Sequence, residues 1–172
     1  MGVIGIILGN IKNMRQAKKL RALGRDGLLA LDDEALYDAA ACMSRDGVIE
    51  IDDPKLPEQL VNIYALTQFE SEVNNGGLCQ FFVNSSGECA PYVSRALAAA
   101  GADGLKTLYE RFLRENGIDP KDLSSFKLRS VAEYEDQVAR FDYDSFDDAF
   151  YADRSIHTQI IAYIRDNVEV LL

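Results

Sequence analysis

Helix start and stop signals recur along the whole chain, whereas the alternating apolar and polar pattern of a half-buried strand is not found. Over residues 58–73, apolar side chains fall on nearly every face of a helix that Pro57 can open and that Asn75 with Gly76 can end. Another short apolar helix begins at Leu78. A helix that is apolar all round is normally buried, so the pattern predicts a central helix in an all-α fold.

The same signals predict further helices on both sides of this segment. We expect about seven to nine helices in a compact domain, since no linker or repeat divides the chain. The predicted boundaries are Asp32 or Asp33 to Gly47, Pro91 to Gly101, a cap at Asp103 with a stop at Asn116, a cap at Asp119 before Pro120, a capping box of Ser130 with Glu133, a weaker copy of it at Ser145 with Asp148, and a last helix from about Ser155 to Val168.

The first 28 residues differ in character from the rest. Their apolar positions share one helical face until Gly24 and Gly27 interrupt it: Ile4, Ile7, Leu8, Ile11 and Met14. We expect residues 1–28 to form a separable basic amphipathic helix that mediates a homodimer or folds back onto the acidic body, and residues 29–172 to form the main domain. The apolar opening is too short for a membrane span and lacks a preceding basic region, so we expect no membrane partner; an interfacial helix is the alternative.

Charge is distributed unevenly along the sequence. Residues 1–30 hold six basic side chains and one acid, whereas the remaining residues hold 27 acids and 12 basic side chains, within a net charge of −10. Such a body repels nucleic acid and attracts basic surfaces, although acidity can also serve solubility without a partner. Three widely spaced cysteines fit neither a disulfide framework nor a zinc site, which favours a reducing, cytoplasmic location.

Catalytic signatures are weak. His157 is the one histidine in the sequence and lies beside the apolar stripe of the last helix, where a half-buried structural role is common. A dyad of Cys79 with His157 is conceivable, but the sequence does not bring the two residues together. No metal-ligand spacing and no phosphate-binding loop is present, so we expect no catalytic residue, no metal and no cofactor.

Polar side chains gather around Gly76 and Gly77. Two interpretations stay open: these groups satisfy helix ends where two buried helices meet, or they line a small-ligand pocket. The members are Glu70, Glu72, Asn74, Asn75, Gln80 and Asn84.

An acidic run near the C terminus is interleaved with aromatic residues, which predicts that it folds against the core rather than forming a disordered tail. Its carboxylates would then be fixed in space and available to a basic protein surface. The predicted surface comprises Glu133, Glu135, Asp136, Asp142, Asp144, Asp147, Asp148 and Asp153.

The segment that starts at Tyr64 and ends at Gly101 contains the pattern E-x-x-N-G-G-x-x-Q-F-F-x-N. In this respect the chain resembles the DNA-mimic protein domain family of small bacterial proteins, and the likeness extends from about Asp33 to Val168. The residues that carry the pattern are Glu72, Asn75, Gly76, Gly77, Gln80, Phe81, Phe82 and Asn84.

The resemblance implies an acidic, all-helical and often dimeric protein whose surface carboxylates stand in for DNA phosphates on a transcription regulator. The pattern itself contains a helix stop and packing aromatics, so it is typical of a fold signature. The sequence therefore predicts a non-catalytic protein that binds a basic DNA-binding protein. A small-ligand protein or enzyme that uses Glu72, Asn75 and Gln80 is one alternative, and a general protein-interaction module is another.

Overall fold

The computed structural model describes residues 3–128 and 130–172, except for the side chains of residues 3–11 and 131. Within these ranges the chain forms nine α-helices and three 3-10 helices, and none of the described residues lies in a strand. The all-α prediction is therefore confirmed. The predicted dimer contact through Ile4, Ile7, Leu8 and Ile11 involves side chains that lie outside this description.

The α-helices in chain order are α1 (Val3–Arg21), α2 (Gly24–Leu29), α3 (Asp33–Gly47), α4 (Glu58–Val83), α5 (Ala90–Ala99), α6 (Asp103–Glu115), α7 (Val131–Arg140), α8 (Asp144–Ala152) and α9 (Ile156–Asp166). The 3-10 helices are Ser85–Cys89, Ser124–Phe126 and Val168–Leu171. Contacts divide the chain into unit 1 (Met1–Tyr64 and Ile161–Leu172) and unit 2 (Ala65–Ile160).

Unit 1 is assembled by arginine side chains that bind backbone carbonyls near helix ends. Arg21 on α1 donates to the carbonyl of Met43 at 3.2 Å and to that of Leu171 at 3.1 Å. Arg165 on α9 donates to the carbonyls of Leu29 and Leu31, both at 3.1 Å. The carbonyls of Leu29, Leu31 and Leu171 lie at or beyond the end of a helix, where helical partners are lacking, so these bonds join the helices and also satisfy these acceptors.

Helix α1 packs on α3 through a face that includes Ala17, which is fully buried. Gly24 interrupts the N-terminal segment as predicted, with a φ of +66°. Gly27 does not interrupt it, because α2 runs through this residue, and this short helix was not predicted. At the start of α3, the carboxylate of Asp32 accepts from the amide of Ala35 at 2.8 Å, which confirms the predicted cap.

Unit 2 is built around an aromatic cluster. Phe69 on α4 is fully buried and meets the rings of Phe81 and Tyr109 edge to face, with centroids 5.1 and 5.6 Å apart. It also contacts the rings of Phe146 and Phe150 on α8. Edge-to-face pairs add to the stability gained from burial, so the aromatic cluster fixes α8 against α4.

Two predicted caps and one predicted helix start in unit 2 were wrong. Asp103 is the first residue of α6 rather than its cap, and its preceding residue Ala102 provides no side-chain bond. Asp119 and Pro120 open no α-helix, because the Asp119 carboxylate accepts from the amide of Lys121 in a turn. Ser145 lies inside the first turn of α8. Each of these polar residues lies in a helix start or a turn, but none of them occupies the N-cap position that the sequence predicted.

The capping box of α7 was predicted correctly at its first residue. Ser130 is the N-cap of α7, and its hydroxyl accepts from the amide of Glu133 at 3.3 Å. Phe141 at the C-terminal end of α7 contacts the rings of Phe112 and Phe126. The acidic segment is therefore folded against the core of unit 2, as its interleaved aromatics predicted.

Substituting Phe69→Ala should lower the free energy of unfolding by about 3–5 kcal/mol, because the substitution leaves a cavity among four aromatic rings. Phe69→Leu is the matched control and should cost about 1.5 kcal/mol, since it keeps much of the volume but loses the ring contacts. Chemical denaturation followed by circular dichroism measures both. Equal losses for the two variants would contradict the importance of volume at this position.

Candidate functional site

Helix α4 is interrupted at Gly76 and Gly77, one residue later than the stop that the sequence predicted at Asn75 and Gly76. Gly77 has a φ of +76°, in the left-handed region that favours glycine, whereas Gly76 is in extended backbone. The chain then resumes a helical course at Leu78, which is fully buried. We refer to Gly76 and Gly77 as the α4 break.

Asp147 of α8 occupies the inner side of the α4 break. Its Oδ1 atom accepts from the amide of Leu78 at 2.9 Å, which satisfies a donor that the interrupted helix leaves open. A Cβ atom at Gly77 would collide with the same carboxylate, through its Oδ2 atom. Glycine is therefore required here both by the backbone angle and by the position of Asp147.

Glu72 braces the outer side of the break. Its Oε2 atom accepts from Gln80 Nε2 and from Asn84 Nδ2, both at 2.8 Å. Glu72 precedes the break and both amides follow it, so this network joins the two parts of α4. The Gln80 side chain also lies over Gly76, where a Cβ atom would meet its Oε1 atom.

Asn75 does not join the network around Glu72. Asn74, Asn75 and Gly76 are exposed, and the end of the first part of α4 is held instead by Tyr151, whose hydroxyl donates to the carbonyl of Val73 at 2.6 Å. Phe81 and Phe82 are buried in the aromatic cluster. The structure thus places six of the eight residues of the sequence pattern in packing or bonding contacts at the α4 break, and it leaves Asn75 and the backbone of Gly76 at the surface.

The ionisation of Asp147 is set by its position. Burial raises the pKa of its carboxyl group, and the nearby Asp144 and Asp148 raise this pKa further, while the bond from Leu78 acts in the opposite direction. Cys79 and Tyr143 lie close to it in the same cluster, and burial raises the pKa of the Cys79 thiol. A raised pKa disfavours the thiolate that a nucleophilic cysteine requires.

His157 lies elsewhere in unit 2 and contacts a different acid. Its Nδ1 atom is 3.1 Å from Oε1 of Glu70, and the Glu70 side chain is only 5% exposed. A carboxylate is costly to bury without a partner, so this contact has a clear structural purpose. The described contacts bring Cys79 to Tyr143 and Asp147 and bring His157 to Glu70, so they do not assemble the Cys79–His157 dyad.

The acids of the predicted surface divide into two groups. Asp147 points toward the α4 break, and Glu133 is half-buried next to the cap of α7. The other members are exposed, and they are Glu135, Asp136, Asp142, Asp144, Asp148 and Asp153. We refer to these six as the acidic surface.

Several features hold the acidic surface in place. The Asp142 carboxylate accepts from the amide and the hydroxyl of Ser145, at 3.3 and 2.6 Å. These bonds lower the pKa of Asp142 and keep it ionised. The Asp153 carboxylate binds the amide and hydroxyl of Ser155 in the same way, at 2.9 and 2.6 Å. These two charges are thus fixed by local bonds rather than carried on freely rotating side chains.

Neutralisation of the acidic surface is limited. Counting only the described residues, its six carboxylates make no ion pair with a lysine or arginine. Arg140, the basic residue within the acidic run, lies over the ring of Phe141, 4.9 Å from its centroid. In the N-terminal segment, Arg21 binds Asp46 and Arg25 binds Glu169, all within unit 1.

A cavity of about 490 Å³ lies next to the end of α4 in unit 2. Its walls include Phe82, Asn84, Gly87, Lys121 and Phe126. Glu72, Asn75 and Gln80 are not among its lining residues. The small-ligand alternative based on those three residues therefore receives no support from this cavity.

The role of Asp147 was missed by sequence reasoning, which assigned it to the acidic surface with its neighbours. Asp147 and Leu78 are 69 positions apart, and no spacing rule connects them. The paired glycines partly indicated such a contact. A left-handed residue that interrupts a buried helix leaves the following backbone amide without its helical acceptor, so another group must accept from that amide. The sequence did not indicate which acid would supply it.

The fold and the site together define an acidic, all-helical protein organised around a braced break in a buried helix. The chain belongs to the DMP19-like protein family, because the family model with that description matches residues 54–167, well over half of the chain. The matched range includes the whole E-x-x-N-G-G-x-x-Q-F-F-x-N pattern, so the resemblance is confirmed at the level of the family. The predicted likeness upstream of residue 54 lies outside the match. No curated protein and no solved structure matches the chain.

Of the helices in the described residues, none combines the length and the apolar character that are needed to cross a bilayer.

Substituting Gly77→Ala should destabilise the protein by about 3 kcal/mol, since the new Cβ adds overpacking against Asp147 to the cost of a left-handed backbone. Gly101→Ala is the matched control, because Gly101 has a similar φ of +73° but no atom within 4 Å of a new Cβ. It should cost about 1 kcal/mol. Urea denaturation measures both values, and equal losses would show that Asp147 does not occupy the break.

The variant Asp147→Asn should change the pH dependence of stability. A carboxyl group whose pKa is raised by folding stabilises the folded state most below the ordinary pKa of aspartate, and this contribution is lost as the pH rises through the folded-state value. The amide variant keeps an acceptor for Leu78 and has no such loss. Its free energy of unfolding relative to the wild type should therefore rise between acid and neutral pH.

Asp142→Asn provides a control of opposite sign. Folding lowers the pKa of Asp142, so its carboxylate stabilises the protein above the ordinary aspartate pKa and ceases to do so as the pH falls through the folded-state value. This variant should be destabilised at neutral pH and approach the wild type in acid. The same trend for both amide variants would contradict the assigned environments.

Proposed function

We propose that this protein is a non-catalytic binding protein that uses the acidic surface to occupy the DNA-binding face of a basic protein such as a transcription regulator. The proposal rests on one observation above the others. Six exposed carboxylates on and beside α7 and α8 make no ion pair with a lysine or arginine in the described parts of the chain.

A protein that replaces DNA on a regulator must present a high density of negative charge on a stiff frame. Duplex DNA carries one charge per about 1.7 Å of its axis, and regulators gain affinity by contacting these charges with lysine and arginine. Asp144 and Asp148 lie one helical turn apart on α8, and Glu135 and Asp136 are adjacent on α7. Ring contacts and serine bonds hold these segments, so little side-chain and backbone order must be gained on binding.

Membership of the DMP19-like protein family supports the fold on which this proposal depends. The proposal has four further parts: DNA mimicry, a cytoplasmic location, homodimer formation and the absence of direct binding to nucleic acid. A surface of six like charges disfavours nucleic acid through simple repulsion, which is consistent with that last part.

Capture experiments at low ionic strength test the proposal. The immobilised full chain should retain a basic DNA-binding protein, duplex DNA should displace it, and binding should weaken steeply with salt. A variant with Glu135→Gln, Asp136→Asn, Asp144→Asn and Asp148→Asn should bind the purified partner about thirtyfold more weakly, at about 0.5 kcal/mol for each exposed pair. Calorimetric titration with the purified partner measures this change.

The control has the same net charge but leaves the acidic surface intact. It carries Asp38→Asn, Glu50→Gln, Asp52→Asn and Glu115→Gln, all at exposed positions outside α7 and α8. This control should bind as the wild type does. If both variants weaken partner binding equally, the binding depends on overall charge and not on the acidic surface. If duplex DNA does not displace the partner, mimicry is excluded in favour of a general interaction module.

A further inference from the structure

Helix α1 has a strongly cationic outer face. Its inner side is fixed by buried Ala17 and by Arg21, which binds Asp46 of α3. The other basic residues of α1 are Lys12, Arg15, Lys18 and Lys19. All four are exposed, and none of them forms an ion pair with another described residue. The first acid in the sequence is Asp26.

Two large apolar side chains are exposed near this cationic face, at whose edge Met14 lies one helical turn before Lys18. Met14 belongs to the apolar stripe predicted for the N-terminal helix. It is the residue of that stripe whose side chain the structure describes, and it is 60% exposed. Ile49 is 90% exposed, and the two residues line one groove of about 290 Å³ with Asn13, Arg45 and Val48 among its walls. Met14 lies one helical turn before buried Ala17 on the same side of α1, so the apolar stripe emerges from the core of unit 1 at this position.

We infer that the outer face of α1, with Met14 and Ile49, is a docking surface for an anionic lipid bilayer. Four cations on one helix attract the negative surface of such a bilayer, and the apolar side chains can enter the boundary between headgroups and acyl chains. A nucleic acid would use the cations but leave Met14 and Ile49 in water, so the combination favours lipid.

This binding is peripheral and corresponds to the interfacial helix that the sequence indicated as the alternative to having no membrane partner. It does not depend on the acidic surface, which belongs to a different unit of the chain. Glu50 follows Ile49 directly and is exposed, so its charge opposes docking of this turn. Glu50→Gln should therefore strengthen binding to anionic vesicles.

Vesicle sedimentation tests the inference with the full chain. The protein should sediment with vesicles of phosphatidylcholine mixed with phosphatidylglycerol and stay in solution with phosphatidylcholine alone. Replacing Lys12, Arg15, Lys18 and Lys19 by glutamine should lower the partition coefficient by about fivefold for each charge removed. The double variant Met14→Ser, Ile49→Ser, which keeps every charge, should lower it by about tenfold.

Two controls separate this inference from the proposed function. Replacing Lys55, Arg111, Lys121 and Lys127 by glutamine gives the same net charge and should leave sedimentation close to that of the wild type. The amide variant of Glu135, Asp136, Asp144 and Asp148 should bind its protein partner more weakly but bind vesicles as the wild type does. Failure of either function then leaves the other one measurable.

Three results would overturn the inference. The first is no sedimentation with phosphatidylglycerol vesicles, and the second is a double serine variant that binds as well as the wild type, which would leave only unspecific attraction. The third is tighter binding of duplex DNA or of an acidic protein than of vesicles, provided that this binding is lost when the four cations of α1 are replaced.

Discussion

The contact between Asp147 and the α4 break is the constraint on which much of unit 2 depends. A buried helix that stops and restarts leaves amide groups without partners, and the carboxylate of Asp147 satisfies the amide of Leu78 from a distant part of the chain. This contact also fixes α8 beside Gly77, where no side chain larger than hydrogen fits. The position of α8 in turn determines which acids reach the surface.

Helix α8 combines two uses of the same residue type. Asp147 faces inward and has its pKa raised by burial, whereas Asp144 and Asp148, one turn apart, face solvent. The inner face is completed by Phe146 and Phe150, which contact the ring of Phe69. Because one face is tied to the core by an acid and two aromatics, the outer carboxylates are carried on a fixed element, which is the property that mimicry of a stiff polyanion requires.

Much of the fold was readable from local signals. The stop at Gly76, the cap at Asp32 and the cap at Ser130 were all predicted, because each depends on residues within a few positions of one another. Asp103 and Ser145 were assigned to the wrong helix positions for a related reason. A short polar residue suits a cap, a first turn or an isolated turn, and tertiary packing selects among these.

The sequence by itself determined the helical class, the break in the central helix, the family and the uneven charge, since these follow from composition, periodicity and a local pattern. Only the tertiary structure decided that Asp147 closes the α4 break, that Glu72 braces it through Gln80 and Asn84, and that Met14 faces solvent. The physical reason is that side-chain ionisation and exposure depend on neighbours brought together by folding, and a carboxylate at a helix surface is identical in sequence to one that caps a buried amide.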